Sequence, residues 1–226
     1  MRYPEIDFAR GVAVILMLIF HSFFDAYYFG KLELSGVLWY YFPRFIGGMF
    51  IFISGFTMAV VKPKPSRIIR KAIKLSALAL LITAVTYYFA PDEFVLFGIL
   101  HFFAIATLLG YLFLDNVKIC LPTGILAFAI GIHLQWLRTE SNYFVWAGLM
   151  PYEFRTLDYY PLLPWFGVFL LGMYFGSHFR GTDYSFFENP VSRLGRKSLE
   201  IYILQHPVII LLLQLLYGDI FQQIFG

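Results

Sequence analysis

Arg10-Gly11-Val12-Ala13-Val14-Ile15-Leu16-Met17-Leu18-Ile19-Phe20-His21 is an apolar run closed at each end by an ionisable side chain. Eleven steps along an α-helix make about three turns and rise about 16 Å, so Arg10 and His21 share one face, about half a hydrocarbon thickness apart. Asp7, three residues before Arg10, and Asp25, four after His21, extend the stripe. Ionisable groups inside a membrane span are costly unless they meet a partner or a polar cavity. Four on one face therefore mark a candidate site, and the rest of the chain reads as the bundle that shelters it.

The 226 residues are 60% hydrophobic and 14% charged, with a mean hydropathy of +0.71, outside the range of soluble domains. The expected fold is all-α: a polytopic transmembrane helix bundle. The first apolar segment is long enough to span and lacks a small-residue cleavage pattern, so it is expected to remain in the mature protein. The single cysteine, Cys120, excludes an internal disulfide and a thiolate metal cluster, and reads as a small apolar residue. No metal site is expected. The net charge of +3 reflects basic loops and implies no nucleic-acid partner.

Windows of about twenty residues predict about seven spans: Phe8 to Phe29, Val37 to Val61, Arg67 to Ala90, Phe94 to Leu114, Ile119 to Leu137, Tyr159 to Phe179 and Ser198 to Tyr217. The connection after the second span carries Lys62, Lys64, Arg67, Arg70, Lys71 and Lys74, whereas the one before it carries Lys31 and Glu33. The positive-inside rule places the basic connection, and with it the N-terminus, on the cytoplasmic side, and the C-terminus outside. No linker or repeat divides the chain, so residues 1–226 are expected to form one domain. Ser141 to Leu157 is too polar to span and is expected to lie along the outer interface, with Tyr143, Trp146 and Tyr152 suited to the headgroup region. Gly47, Gly48, Ser54 and Gly55 on the second span would allow close backbone approach and permit a homodimer.

Depths counted at 1.5 Å per residue from each basic end put His21 near mid-membrane. Arg44 (about 27 Å from Lys62), His101 (about 21 Å from Asp115) and Asp25 (about 22 Å from Arg10) fall in the outer half. His206 falls in the inner half of the last span, before Pro207, whose ring would kink that helix and free a carbonyl. Arg10 and the basic connection could hold phosphates at the cytoplasmic mouth. Each signal has a plainer reading. The basic connection can be a topology signal beside anionic lipid headgroups, Arg44 can snorkel, and His101 can bond a neighbouring helix. His133 and His178 read as packing or interfacial residues.

Several stretches carry a family likeness: Ile6-Asp7-Phe8-Ala9-Arg10-Gly11-Val12-Ala13-Val14 with His21, Phe42-Pro43 with Phe52-Ile53-Ser54-Gly55, and Phe97-Gly98-Ile99-Leu100-His101. Tyr160-Pro161-Leu162-Leu163-Pro164-Trp165-Phe166-Gly167 and Leu194-Gly195-Arg196-Lys197-Ser198-Leu199-Glu200-Ile201-Tyr202 with His206-Pro207 continue it over nearly the whole chain. Together they resemble the heparan-alpha-glucosaminide N-acetyltransferase catalytic-domain family of transmembrane acyltransferases. The spacing of Arg10 and His21 is also similar to that in acyltransferase family 3 membrane proteins. The resemblance implies cytoplasmic acetyl-coenzyme A, or another acyl donor, and an acceptor on the far side. Lysosomal members carry asparagine at the position of His21 and a histidine in the loop that follows, whereas Asp25 to Gly36 contains none here. An acyl-histidine intermediate on that loop does not carry over.

The reading is therefore an integral membrane acyltransferase moving an acetyl or other acyl group to a sugar or glycan amine or hydroxyl. His21 is the candidate base, oriented by Asp25 across one helical turn, with Arg44 or His101 stabilising the thioester oxygen. Arg10, the six residues from Lys62 to Lys74, and His206 are the candidate donor-binding set. A proton-coupled transporter using the Asp7/Arg10/His21/Asp25 stripe as a relay is the competing class, although no repeated half-structure supports it. A noncatalytic scaffold is a third.

Overall fold

The computed structural model describes residues 3–181, 187 and 189–225. It is helical almost throughout, with α1 (Pro4–Tyr28), α2 (Val37–Val61), α3 (Pro65–Phe89), α4 (Ile99–Tyr111), α5 (Cys120–Leu134), α6 (Leu162–Ser177), α7 (Pro190–Arg196), α8 (Ser198–Tyr217) and α9 (Ile220–Phe225). Two-residue strands, β1 (Arg138–Thr139) and β2 (Met150–Pro151), pair in parallel between α5 and α6. Among the described residues, four helical stretches are long and apolar enough to cross a membrane: Pro4–Tyr28, Val37–Val61, Val117–Leu134 and Ser198–Tyr217.

Each of the seven predicted spans contains a helix, but not all at full length. Only thirteen residues of the fourth are helical, about 20 Å, and α6 is also short. The cause is local. Residues before α4 run extended beside those before α6: Phe97 bridges Tyr159 in parallel, Tyr160 donates its N–H to the Phe97 carbonyl, and Leu157 donates to the Glu93 carbonyl. The Asp158 carboxylate then accepts the Ile99 N–H at 2.8 Å, satisfying a free amide in the first turn of α4.

The chain divides into two compact units, one of residues 1–50 and 180–226, the other of residues 51–179, with the boundary inside α2. In the first, α7 and α8 pack on α1. Asn189 caps α7 by accepting the Ser192 N–H, and Pro190 opens it with the φ a helix requires. A Cβ on Gly195 would stand 1.9 Å from the Asp7 carbonyl oxygen, so only glycine lets the two backbones touch there. Val14, Met17 and Ile46 form one buried cluster with Leu194, Ile201 and Tyr202, and Ala26, Ile209, Leu213 and Ile220 form another. Beyond α8, Lys31 Nζ reaches the Asp219 carboxylate at 2.5 Å and lies over the Tyr217 ring. That hydrogen bond holds the Asp219 carboxyl below the usual carboxylate range.

The second unit is built on the pairs α3 with α4 and α5 with α6. Phe102, Phe169, Leu170, Met173 and Cys120 are fully buried in its core, and Cys120 is a free thiol packed as a small apolar side chain. Of the small residues expected to allow close approach, Gly55 does so: a Cβ there would stand 2.0 Å from the Phe169 carbonyl oxygen. The stretch from Ser141 to Leu157 contains a 3₁₀ turn (Asn142–Ala147) and β2, and exposes Tyr143, Trp146 and Tyr152.

Candidate functional site

In the first unit, three ionisable residues form one hydrogen-bonded chain. His21 Nδ1 lies 2.8 Å from His206 Nε2, and His206 Nδ1 lies 3.0 and 2.9 Å from the two carboxylate oxygens of Asp25. Asp25 is buried and the two imidazole centroids are 4.5 Å apart. Phe20 packs edge-on against the His21 ring at 5.3 Å, and Phe24 lies beyond it. Hydrogen bonds at the carboxylate and between the rings compensate the polarity of groups held among apolar helices.

Two expectations change here. Asp25 does not reach His21 across one turn of α1; its carboxylate turns to His206, whose ring on α8 fills the gap between them. Nor does His206 lie deeper than His21. Gly195, at the end of α7, rests against Asp7 and Gly11 of α1. His206, eight residues or about 12 Å along α8 from Ser198, hydrogen-bonds His21 directly and so stands level with it. His206 is thus hydrogen-bonded to both His21 and Asp25. Pro207 lies inside α8, which continues as helix to Tyr217.

Sequence reading overlooked the neighbour, Gln205. It is only 3% exposed, and neither its amide oxygen nor its amide nitrogen has a hydrogen-bond partner among the described residues. The signal was present as an uncharged polar residue on the α8 face that also carries Ile209 and Leu213, the buried positions of that helix.

Elsewhere in this unit, Arg10 forms an ion pair with Asp7 at 3.2 Å, and Asp7 is buried. Arg44 is held locally, donating to the Tyr40 carbonyl at 2.6 Å with its guanidinium 3.6 Å above the Tyr40 ring. No hydrogen bond or ion pair links it to His21, His206 or Asp25 among the described residues.

In the second unit, the basic run opens α3. Arg67, Arg70, Lys71 and Lys74 fall on one helical face and are exposed, while Ile68, Ala72, Leu75 and Ala79 line the buried face. Lys62 and Lys64, also exposed, lie just before the helix. His101 has both ring nitrogens occupied: Nδ1 accepts the Gly98 N–H at 3.2 Å, and Nε2 lies 3.3 Å from the Thr83 hydroxyl. These contacts tie it to the residue before α4 and to α3. His133 is exposed, and His178 Nδ1 donates to the Tyr174 carbonyl at 2.9 Å. Tyr159, another residue the sequence did not single out, donates to the Val145 carbonyl at 2.8 Å. A cleft of about 490 Å³ lies beyond the end of α3, with Asp92, Glu140, Glu153 and Arg155 among the aromatic rings of Phe94, Tyr152 and Phe154.

The arrangement in the first unit can take up a proton at His21 and balance the resulting charge through His206 against a buried carboxylate. Compared with known proteins, the chain matches the sequence model of the heparan-alpha-glucosaminide N-acetyltransferase catalytic family over residues 2–207. No curated protein and no solved structure matches it.

Proposed function

We propose, from the premise that this chain belongs to the heparan-alpha-glucosaminide N-acetyltransferase catalytic family, that it is a membrane enzyme taking an acetyl or related acyl group from acyl-coenzyme A and passing it to an amine or hydroxyl of a sugar or glycan. The donor arrives from the cytoplasm, on the side of the N-terminus, and the acceptor waits on the outer side of the cell membrane. The basic opening of α3 supports this orientation through the positive-inside rule. The family match runs through both units, which supports treating them as one catalytic domain.

The observation that carries the reading is the chain from His21 through His206 to Asp25. Acyl transfer to an amine or hydroxyl needs a base, and an imidazole supported by a second imidazole and a carboxylate supplies one. His21 takes the acceptor's proton as its nitrogen or oxygen bonds to the acyl carbon and the carbon–sulfur bond breaks. It then returns that proton to the departing sulfur, which leaves as a thiol. Acyl-coenzyme A supplies the activated thioester. In the second unit, Lys62 and Lys64 before α3 and Arg67, Arg70, Lys71 and Lys74 on its exposed face are suited to its phosphates, and in the first unit the guanidinium of Arg10 is suited to the same chemistry. Phe20 and Phe24 beside His21 restrict water, which limits hydrolysis of the thioester.

The test is calorimetric titration of coenzyme A into protein purified in detergent, followed by transfer of labelled acetyl groups to a panel of sugar amines and alcohols. Saturable binding that weakens at least about tenfold in Arg67→Ala/Arg70→Ala, with transfer to one acceptor class, is expected. A folded protein that binds no coenzyme A ends the acyltransferase reading and leaves the proton-coupled transporter.

A further inference from the structure

We infer that the Asp25–His206–His21 chain is polar in one direction only, leaving a bare lone pair on His21 Nε2, so that Asp25 and His206 act as positioning residues that fix the tautomer of the base.

The argument is a count of hydrogens. Two contacts need one hydrogen each: His206 Nδ1 with the Asp25 carboxylate at 2.9 Å, and His21 Nδ1 with His206 Nε2 at 2.8 Å. An ionised carboxylate only accepts, so His206 must donate from Nδ1. A neutral imidazole has one N–H, which makes His206 Nε2 an acceptor. His21 must therefore donate from Nδ1, and its Nε2 carries the lone pair. That atom has no hydrogen-bond partner among the described residues, so it is available to an incoming proton.

The direction matters because the reverse tautomer is inert as a base. With its hydrogen on Nε2, His21 would present a donor where a proton must be accepted. A carboxylate oriented through an imidazole is a known way of selecting between two such tautomers. When His21 becomes an imidazolium, its Nδ1 hydrogen bond to His206 tightens, and the negative charge of Asp25 stabilises the pair through the second ring. The geometry also explains why Asp25 sits on the same face as His21 without touching it: the intervening ring carries the polarity across.

This inference rests on the base assignment only for its consequence; the tautomer itself is measurable without any reaction. Protein carrying ring-nitrogen-labelled histidine, studied by nuclear magnetic resonance in detergent micelles, distinguishes protonated from bare ring nitrogens. Loss of signals in His21→Ala assigns that residue. Wild type is expected to show His21 and His206 both protonated on Nδ1 and bare on Nε2. A doubly protonated His206 paired with Asp25, or a hydrogen on His21 Nε2, overturns the inference at once. Asp25→Asn should replace the single tautomer by a mixture, with kcat for acyl transfer down at least about tenfold and KM for the donor unchanged. His206→Gln should keep more kcat than His206→Leu, because the Gln oxygen can accept from His21 while its amide donates to Asp25. Unchanged transfer in folded Asp25→Asn and His206→Leu would overturn the positioning role of Asp25 and His206 even with the wild-type tautomer as stated.

Discussion

His21 and His101 occupy apolar helices of the same chain, each faces a polar partner on another element, and the two are bound in opposite senses. In the second unit His101 uses Nδ1 to accept the Gly98 amide and presents Nε2 to Thr83, whose hydroxyl hydrogen goes to the Val95 carbonyl. Both ring nitrogens are occupied by groups that hold the start of α4 in place. His21 in the first unit uses one nitrogen for His206 and keeps the other unpartnered among the described residues. The lesson is that a histidine in an apolar helix is judged by its remaining valence, not by its position along the helix. A satisfied imidazole is a structural bracket, whereas a half-satisfied one backed by a carboxylate is equipped for chemistry.

The largest expected effect separates the two. His21→Ala should lower turnover by about 10²- to 10⁴-fold while coenzyme A binding survives, as for loss of a general base. His101→Ala should leave the chemical step within a few-fold and instead cost about 1 kcal/mol of stability, the usual loss for a helix-start hydrogen bond. Acyl-transfer kinetics and thermal unfolding of both variants check this. If His101→Ala removes activity without loss of stability, the contrast collapses.

The positions of these helices were legible from hydrophobic windows, because a spanning helix must satisfy its own backbone in lipid and so leaves a long apolar signature. Their starts were not. The residues from Phe94 to Gly98 are as apolar as those that follow, yet they run extended because they pair with residues some sixty positions later, and Asp158 supplies the amide partner at Ile99. The face shared by Asp7, Arg10, His21 and Asp25 was also legible, since it follows from 3.6 residues per turn. The partner of Asp25 was not. It depends on where α8 begins alongside α1, which is set by the contact of Gly195 with Asp7 and by the short α7 between them. Depth counted from each helix's own basic end carries no such offset. Gln205 escaped notice for a related reason: an uncharged amide in an apolar run is a weak signal until the face it shares with Ile209 and Leu213 is known to be buried.

Gln205 sharpens the comparison at an intermediate scale. His101 has both polar atoms paired; Gln205 has neither paired among the described residues and is almost wholly buried. Leaving such a group unsatisfied costs about 1–3 kcal/mol, so Gln205→Leu, similar in size and without polar atoms, should raise stability by about 1 kcal/mol. A shift of the unfolding midpoint to higher temperature or denaturant reads it. Destabilisation by the same substitution would show that the amide has a partner that holds the first unit together, such as an ordered water between α1 and α8.

The smallest effect lies at the far end of the first unit, where Lys31 meets the half-exposed Asp219 carboxylate beyond α8. Asp219 is partly exposed, and the Lys31 hydrogen bond holds its carboxyl below the usual carboxylate range. Because the folded carboxyl releases its proton more readily than the unfolded one, the pair's contribution is fully present above the unfolded carboxylate pKa of about 3.9. It disappears as the pH falls through the lower, folded value. Unfolding temperature measured from neutral pH down to about pH 3 should therefore fall slightly less steeply in Asp219→Asn than in wild type, with the two curves closest at the acid end. The effect is small because solvent screens an exposed pair. The Asp25 carboxylate is by contrast buried, its side chain only 7% exposed, although His206 beside it is 41% exposed. Salt should accordingly erase the difference between wild type and Asp219→Asn while leaving the kcat difference between wild type and Asp25→Asn in place. Equal sensitivity of both to salt would mean that the Asp25 chain is as open to solvent as the Lys31 pair, and would remove the physical ground for giving the two carboxylates different roles.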